Sequence, residues 1–333
     1  MNFFPNCISR LQPSPFPLTF APNMQPTNRS KYLPHAALMA VSLIYGANFT
    51  LAKQVMPLYI QPFGFILLRV IFATIMFWLS GLMIKETIAR ADIPRLMACG
   101  LFGVAINQLF FFKGLNITSP INASLLMIVT PILVLVFAVL GKQEKMSLRK
   151  ILGIVLGTVG ASGIILFSNA ATNKEASILG DLYVFLNAAA YGTFLVIVKP
   201  LMSKYHPFTV IKWVFLFGLI PVLPAGYSEL VAVDWSLLDT SAWLIVGYVL
   251  LFTTYLAYAL NTYAMRSVEP SVVGYYIYVQ PICATIIALS LGSDHLTWIK
   301  VVAGLVTFAG VYLATTKPKA QIIIPSSPQS VVE

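Results

Sequence analysis

The chain has 333 residues, 58% hydrophobic and 10% charged, with a mean hydropathy of +0.84. Soluble domains are nearer about 45–50% apolar and about 25% charged, so this composition excludes a water-soluble enzyme or binding module and implies a lipid-embedded one. The formal charge of +10 does not point to nucleic acid, because Lys and Arg fall mostly in short loops between apolar runs.

Residues 1–31 carry Pro5, Pro13, Pro15, Pro17, Pro22 and Pro26 and no apolar run long enough for a signal peptide. They read as a disordered, Pro-rich N-terminal tail, with Met24 the expected translation start. A helix needs roughly 20 apolar residues to cross a bilayer. Runs at 33–55, 63–84, 94–115, 121–140, 148–168, 178–198, 208–227, 241–263, 271–291 and 298–316 meet that need, giving an all-α integral membrane fold of ten transmembrane helices. The third and eighth are the least continuous, interrupted by Lys113 and by a run of Thr and Tyr. A short C-terminal tail, 317–333, follows.

Loop charges set the orientation. With a cytoplasmic N-terminus, the inward segments hold Arg10, Arg29, Lys31, Lys85, Arg90, Arg95, Lys142, Lys145, Arg149, Lys150, Lys199, Lys204, Lys212, Arg266, Lys317 and Lys319. The outward side keeps only Lys53, Lys113, Lys174 and Lys300. Lys/Arg excess marks the cytoplasmic side, so both termini are expected inside a plasma or inner membrane.

The two halves read as copies. Pro120 and Pro131 recur as Pro270 and Pro281, both at an offset of 150, and Glu144, Ser147, Lys150 and Gly160 match Asp294, Thr297, Lys300 and Gly310. Tyr45, Gly46 and Lys53 match Tyr191, Gly192 and Lys199. The expected repeats are 32–170 and 171–316. Five spans are an odd number, so the second copy enters the membrane inverted, an arrangement suited to alternating access around a midplane site.

Those residues resemble the drug/metabolite transporter superfamily, specifically its EamA-type ten-helix members. Leu43-Ile44-Tyr45-Gly46-Ala47-Asn48-Phe49 with Lys53 is similar to the family's Trp-Gly-x-Asn-Phe…Lys opening, with Tyr45 in the Trp position. Arg69, the stretch Gly114 to Pro131, Glu144…Ser147…Gly153 with its echo Asp294…Thr297, and Gly180-Asp181 match in order. The resemblance implies a secondary transporter, expected to export small metabolites such as amino acids or amphipathic compounds. It also implies a cavity lined by helices one, three, four, six, eight and nine. A membrane-embedded enzyme on lipid-linked substrates and a non-transporting receptor or scaffold are the alternatives.

Polar groups inside hydrocarbon are costly and face a bundle interior or a watery cavity. Arg69 lies several residues into the second span; it either attracts an anionic group of the substrate or gates the outer side, or else it snorkels to the outer interface or pairs with helix-end carbonyls. Pro131 and Pro281, each mid-helix and preceded by Thr130 and Gln280, free a carbonyl and are candidate hinges. Tyr255 and Tyr258 share a face of the eighth span with Asn261 beside them, Asn107 and Gln108 are adjacent on the third, and Tyr276 and Gln280 stand at i and i+4. With Tyr45, Asn48 and Tyr191 they form a candidate site of tyrosines and amides for a small zwitterion or amphipathic metabolite. For the tyrosines, an interfacial belt is the competing reading.

No phosphate loop and no acid at mid-depth in any span is present, so neither direct ATP drive nor a usual buried proton relay is expected. No catalytic set, metal or cofactor is expected, since Cys7, Cys99 and Cys283 are far apart. Gly153, Gly157 and Ala161 give small-xxx-small spacing, read as close helix packing or, alternatively, a homodimer face.

Overall fold

The computed structural model describes residues 28–82, 84–142, 146–167, 178–265 and 276–315. Among them the regular structure is helical: α1 (Asn28–Val55), α2 (Pro62–Gly81), α3 (Arg90–Ile117), α4 (Pro120–Leu140), α5 (Leu148–Phe167), α6 (Ile178–Lys204), α7 (Pro207–Val231), α8 (240–265), α9 (Val279–Ser290) and α10 (Trp298–Thr315). The first eight are long and apolar enough to cross a membrane; α9 and α10 are shorter. Helix α1 begins at Asn28, inside the segment expected to be tail. Residues 1–27, 168–177, 266–275 and 316–333, on which the expected tails, the repeat boundary and the start of the ninth span fall, lie outside the described residues.

Local chemistry explains several helix starts. Pro62, Pro120 and Pro207 sit in first turns, where a missing N–H costs nothing. Ser119 Oγ and Asp239 Oδ1 accept from Asn122 N and Ala242 N, capping α4 and α8. Helix α2 has a cap borrowed across the fold: a carboxylate oxygen of Glu229, at the end of α7, accepts from Phe63 N at 2.7 Å and Gly64 N at 2.9 Å. An acid there meets the positive end of the helix dipole.

The corresponding helices α2 and α7, and likewise α5 and α10, pack antiparallel, as inverted repeats require. Lipid tails are as apolar as leucine, and helices associate where small residues let backbones approach. Gly153 faces Ala314 at one end of the α5/α10 seam, and Gly160 faces Thr307 and Ala303 farther along. A Cβ added to Gly310 would lie 2.3 Å from Gly157 N. The small-residue stripe of α5 is thus filled by α10, which favours internal packing over a dimer face for that stripe. The opposite side of α5, with Leu152, Val155 and Val159, is exposed. Helices α2 and α7 repeat the device: Gly226 meets Phe63 and Leu67, Gly64 meets Glu229 and Leu230, and Gly81 meets Lys212.

Two further features obey the same symmetry. Gly46 of α1 abuts Cys283 of α9, two residues past Pro281, and Gly192 of α6 abuts Leu133 of α4, two residues past Pro131. Helix α3 widens to π geometry over Leu101–Ile106 and α8 over Val249–Leu256, at corresponding positions. These wide turns lie in the two spans whose apolar pattern is least continuous.

Candidate functional site

The wide turn of α8 positions Arg69. A π turn leaves a backbone carbonyl without its usual partner. Val249 O also accepts from two hydroxyls, Thr253 Oγ1 at 2.6 Å and Thr254 Oγ1 at 2.9 Å. With its proton so committed, Thr254 Oγ1 accepts from Arg69 Nε at 2.6 Å. The guanidinium carbon stands 5.4 Å from the centre of the Phe112 ring, on the side of α3 that also carries Gln108. Arg69 is 7% exposed, and no described carboxylate lies within ion-pair distance of it.

Around this cation the chain gathers tyrosines from three helices. Tyr45 of α1, Tyr191 of α6 and Tyr258 of α8 are near enough to interact electrostatically, and Arg69 couples to Tyr45 and Tyr258. Each is half-buried. Tyr258 packs between Phe77 and Phe215, both rings 5.7 Å away, and Tyr191 stacks on Phe194 at 5.8 Å.

The remaining sequence candidates divide. Asn48, one turn from Tyr45, Gln108 and Thr130 are buried, and their side-chain oxygens find no protein hydrogen-bond partner. Such orphaned acceptors in a buried position ask for an explanation, and a bound donor or water supplies one. Thr130 follows a tightened 3-10 turn at Met127–Val129, the distortion that Pro131 imposes on α4; Tyr278 marks a matching turn before Pro281. Gln280 and Asn261 are half-buried. Asn107 instead ties α3 to α6: its Nδ2 donates to Asn187 O at 3.4 Å, and Asn187 Nδ2 donates to Asn107 O at 2.7 Å. Tyr255 reaches the end of α2, with its hydroxyl 2.9 Å from Ser80 Oγ. Tyr276 lies apart from the cluster, at the first turns of α1, where its hydroxyl bonds exposed His35 Nδ1 at 3.0 Å and its carbonyl accepts from Ser42 Oγ at 2.8 Å.

A second polar group closes one end of the bundle at the α3–α4 turn. Lys300 Nζ, fully buried, contacts Asp294 Oδ1 at 2.8 Å, His295 O at 3.0 Å and Ser119 Oγ at 3.3 Å, while Asp294 Oδ2 accepts from Ile121 N at 3.0 Å. Asp181 of α6 is equally buried and accepts from Thr118 Oγ1 and from Asn122 Nδ2 at 3.2 Å; Lys53 Nζ donates to Thr118 O. Buried acids therefore exist at the end of the bundle, though at helix ends rather than at mid-depth. Thr254 and Phe112 were not singled out from sequence, and Asp181 only as part of the Gly180-Asp181 match; the polar run Thr253-Thr254-Tyr255 inside an apolar span was the available signal. Among the described residues no three His, Cys, Asp or Glu side chains gather as a metal site.

The model of the EamA-like transporter family matches residues 33–166 and again 178–316. An uncharacterized transporter of Bacillus subtilis, YyaM, is 23% identical over 82% of this chain and 92% of its own length. An uncharacterized transporter of Archaeoglobus fulgidus is 23% identical over 85% and 97%, and a WAT1-related protein of Arabidopsis thaliana, At3g53210, 21% identical over 84% of each. A solved crystal structure of 17% identity shares the fold, with a TM-score of 0.56 over 86% of this chain and 98% of that one. Two family matches, one per half and together spanning nearly all the described helices, agree with the inverted architecture: the chain is a membrane transporter and belongs to the EamA-like transporter family.

Proposed function

We propose that this transporter exports small zwitterionic or amphipathic metabolites, amino acids among them, from the cytoplasm across the plasma or inner membrane by alternating access. The observation that carries the reading is Arg69, a buried cation without an acidic partner among the described residues, beside tyrosines that would line a substrate cleft. An isolated buried charge is costly, and a substrate carboxylate entering the cleft would relieve it. The orphaned oxygens of Asn48, Gln108 and Thr130 would accept from a substrate ammonium, and the tyrosine faces favour the same cation. The lysine and arginine bias supports cytoplasmic termini. In that orientation the Asp181 and Asp294–Lys300 group closes the outer end, and rocking about Pro131 and Pro281 would open it.

The test is counterflow in proteoliposomes with a panel of amino acids, each beside its methyl ester. The free acids should be carried and the esters rejected. Equal transport of acid and ester would remove the Arg69–carboxylate pairing, and no transport of any panel member would remove the substrate class.

A further inference from the structure

Away from the tyrosine cluster, a cavity of about 320 Å³ lies where α2 ends and α7 begins. Trp78, Lys212, Trp213, Leu96 and the connecting residues Glu86 to Ile88 line it. Lys212 is 8% exposed, yet its ammonium has no hydrogen-bond acceptor and no carboxylate within ion-pair distance among the described residues. It rests instead 5.3 Å from the Trp78 ring centre. Trp78 Nε1 is likewise buried with no acceptor. Glu86 is committed elsewhere, its two oxygens accepting from His206 N at 3.0 and 3.3 Å.

A cavity lined by a lysine whose ammonium lacks an acceptor, and by a tryptophan whose buried N–H lacks one too, suits a compact anion with several acceptor oxygens. We infer that this cavity binds the phosphate of an anionic phospholipid headgroup. Depth agrees: Lys212 is five residues into α7, about 7.5 Å along the axis, and Trp78 is within the last turn of α2. That is the level at which Trp concentrates and headgroups sit. Lys85, Arg90 and Arg95, on the segment that carries the lining residues Glu86 to Ile88 and Leu96, are all exposed and add positive charge. Basic pockets between helices on the cytoplasmic side hold anionic headgroups in this way. Placement in the inner leaflet rests on the orientation proposed above; the anion site itself does not.

Native mass spectrometry of the full-length protein, with phosphatidylglycerol and phosphatidylcholine supplied equally, tests the site. Wild type should retain the anionic lipid about fivefold over the zwitterionic one, the effect of one well-placed charge. Lys212→Met should bring the ratio near one, and Lys212→Arg should restore it. Trp78→Phe, which keeps the ring and removes the donor, should lower it in a protein whose elution profile is unchanged, and serves if the methionine variant does not fold. A parallel arm titrates millimolar inorganic phosphate against tryptophan fluorescence. A saturable change that Lys212→Met abolishes, with no lipid preference, would assign the anion site to free phosphate and overturn the lipid. An equal lipid ratio in wild type and variants with no phosphate response would overturn the site altogether. Neither result bears on the termini, which tag accessibility maps separately, or on substrate transport.

Discussion

Arg69 Nε donates to Thr254 Oγ1 at 2.6 Å, joining the second helix of one half to the distorted turn of the other half's third helix. The bond fixes the inner part of the side chain and leaves its two terminal nitrogens without an acceptor among the described residues. Arg69→Ala is expected to lower the initial transport rate at least about tenfold, since charge-assisted bonds are worth roughly 1.5–3 kcal/mol. Arg69→Lys should fall between, keeping charge without the planar fork. Thr254→Val should cost about fivefold, because the guanidinium loses its anchor and not its charge. Rates normalised to the folded fraction decide this; unchanged rates in Arg69→Ala would sink the site.

Gly310→Leu should disrupt the α5/α10 seam, because even a Cβ there would meet backbone at 2.3 Å. Gly247, in the first turns of α8, has nothing within 4 Å of an added Cβ, so Gly247→Ala should be neutral or stabilise by up to about 1 kcal/mol. Thermal unfolding of the two variants in one detergent separates the cases.

Lys300→Met should destabilise by about 3–5 kcal/mol, because it strands the buried Asp294 carboxylate. The double variant Lys300→Met/Asp294→Asn should recover part of that loss, since an amide oxygen can still accept from Ile121 N. A double variant no better than the single one would show that the pair is not coupled.

Pro281→Ala lets α9 run straight through the turn at Tyr278. Transport should fall while the unfolding temperature holds or rises, because a helix interior gains a hydrogen bond when proline leaves. A parallel loss of stability would mark the bend as packing alone.

Much of the fold was legible because lipid leaves a coarse record: ten apolar runs, a charge bias and prolines repeated at one offset. Arg69 and Tyr45 were legible for the same reason, as polar groups where hydrocarbon tolerates few. Thr254 was not. Its role depends on a wide turn that redirects its proton to Val249 O, and nothing in a Thr-Thr pair announces that geometry. Tyr276 shows the converse. Spacing put it in register with Gln280, but the bend at Tyr278 intervenes and its side chain bonds His35 at the bundle's end. Lys300 read as an outward loop charge and Asp181 only as part of the Gly180-Asp181 match, and the packed α3–α4 turn buries both.

The glycine seams have a consequence for biogenesis. Helices α1, α2, α4 and α5 each meet their close-packed partner in the second half, at α9, α7, α6 and α10. The ribosome delivers the first five helices before any of these partners exists. Until α6 to α10 have inserted, bare glycine faces must be shielded by lipid or by an insertase, and assembly can finish only after synthesis of the final helix.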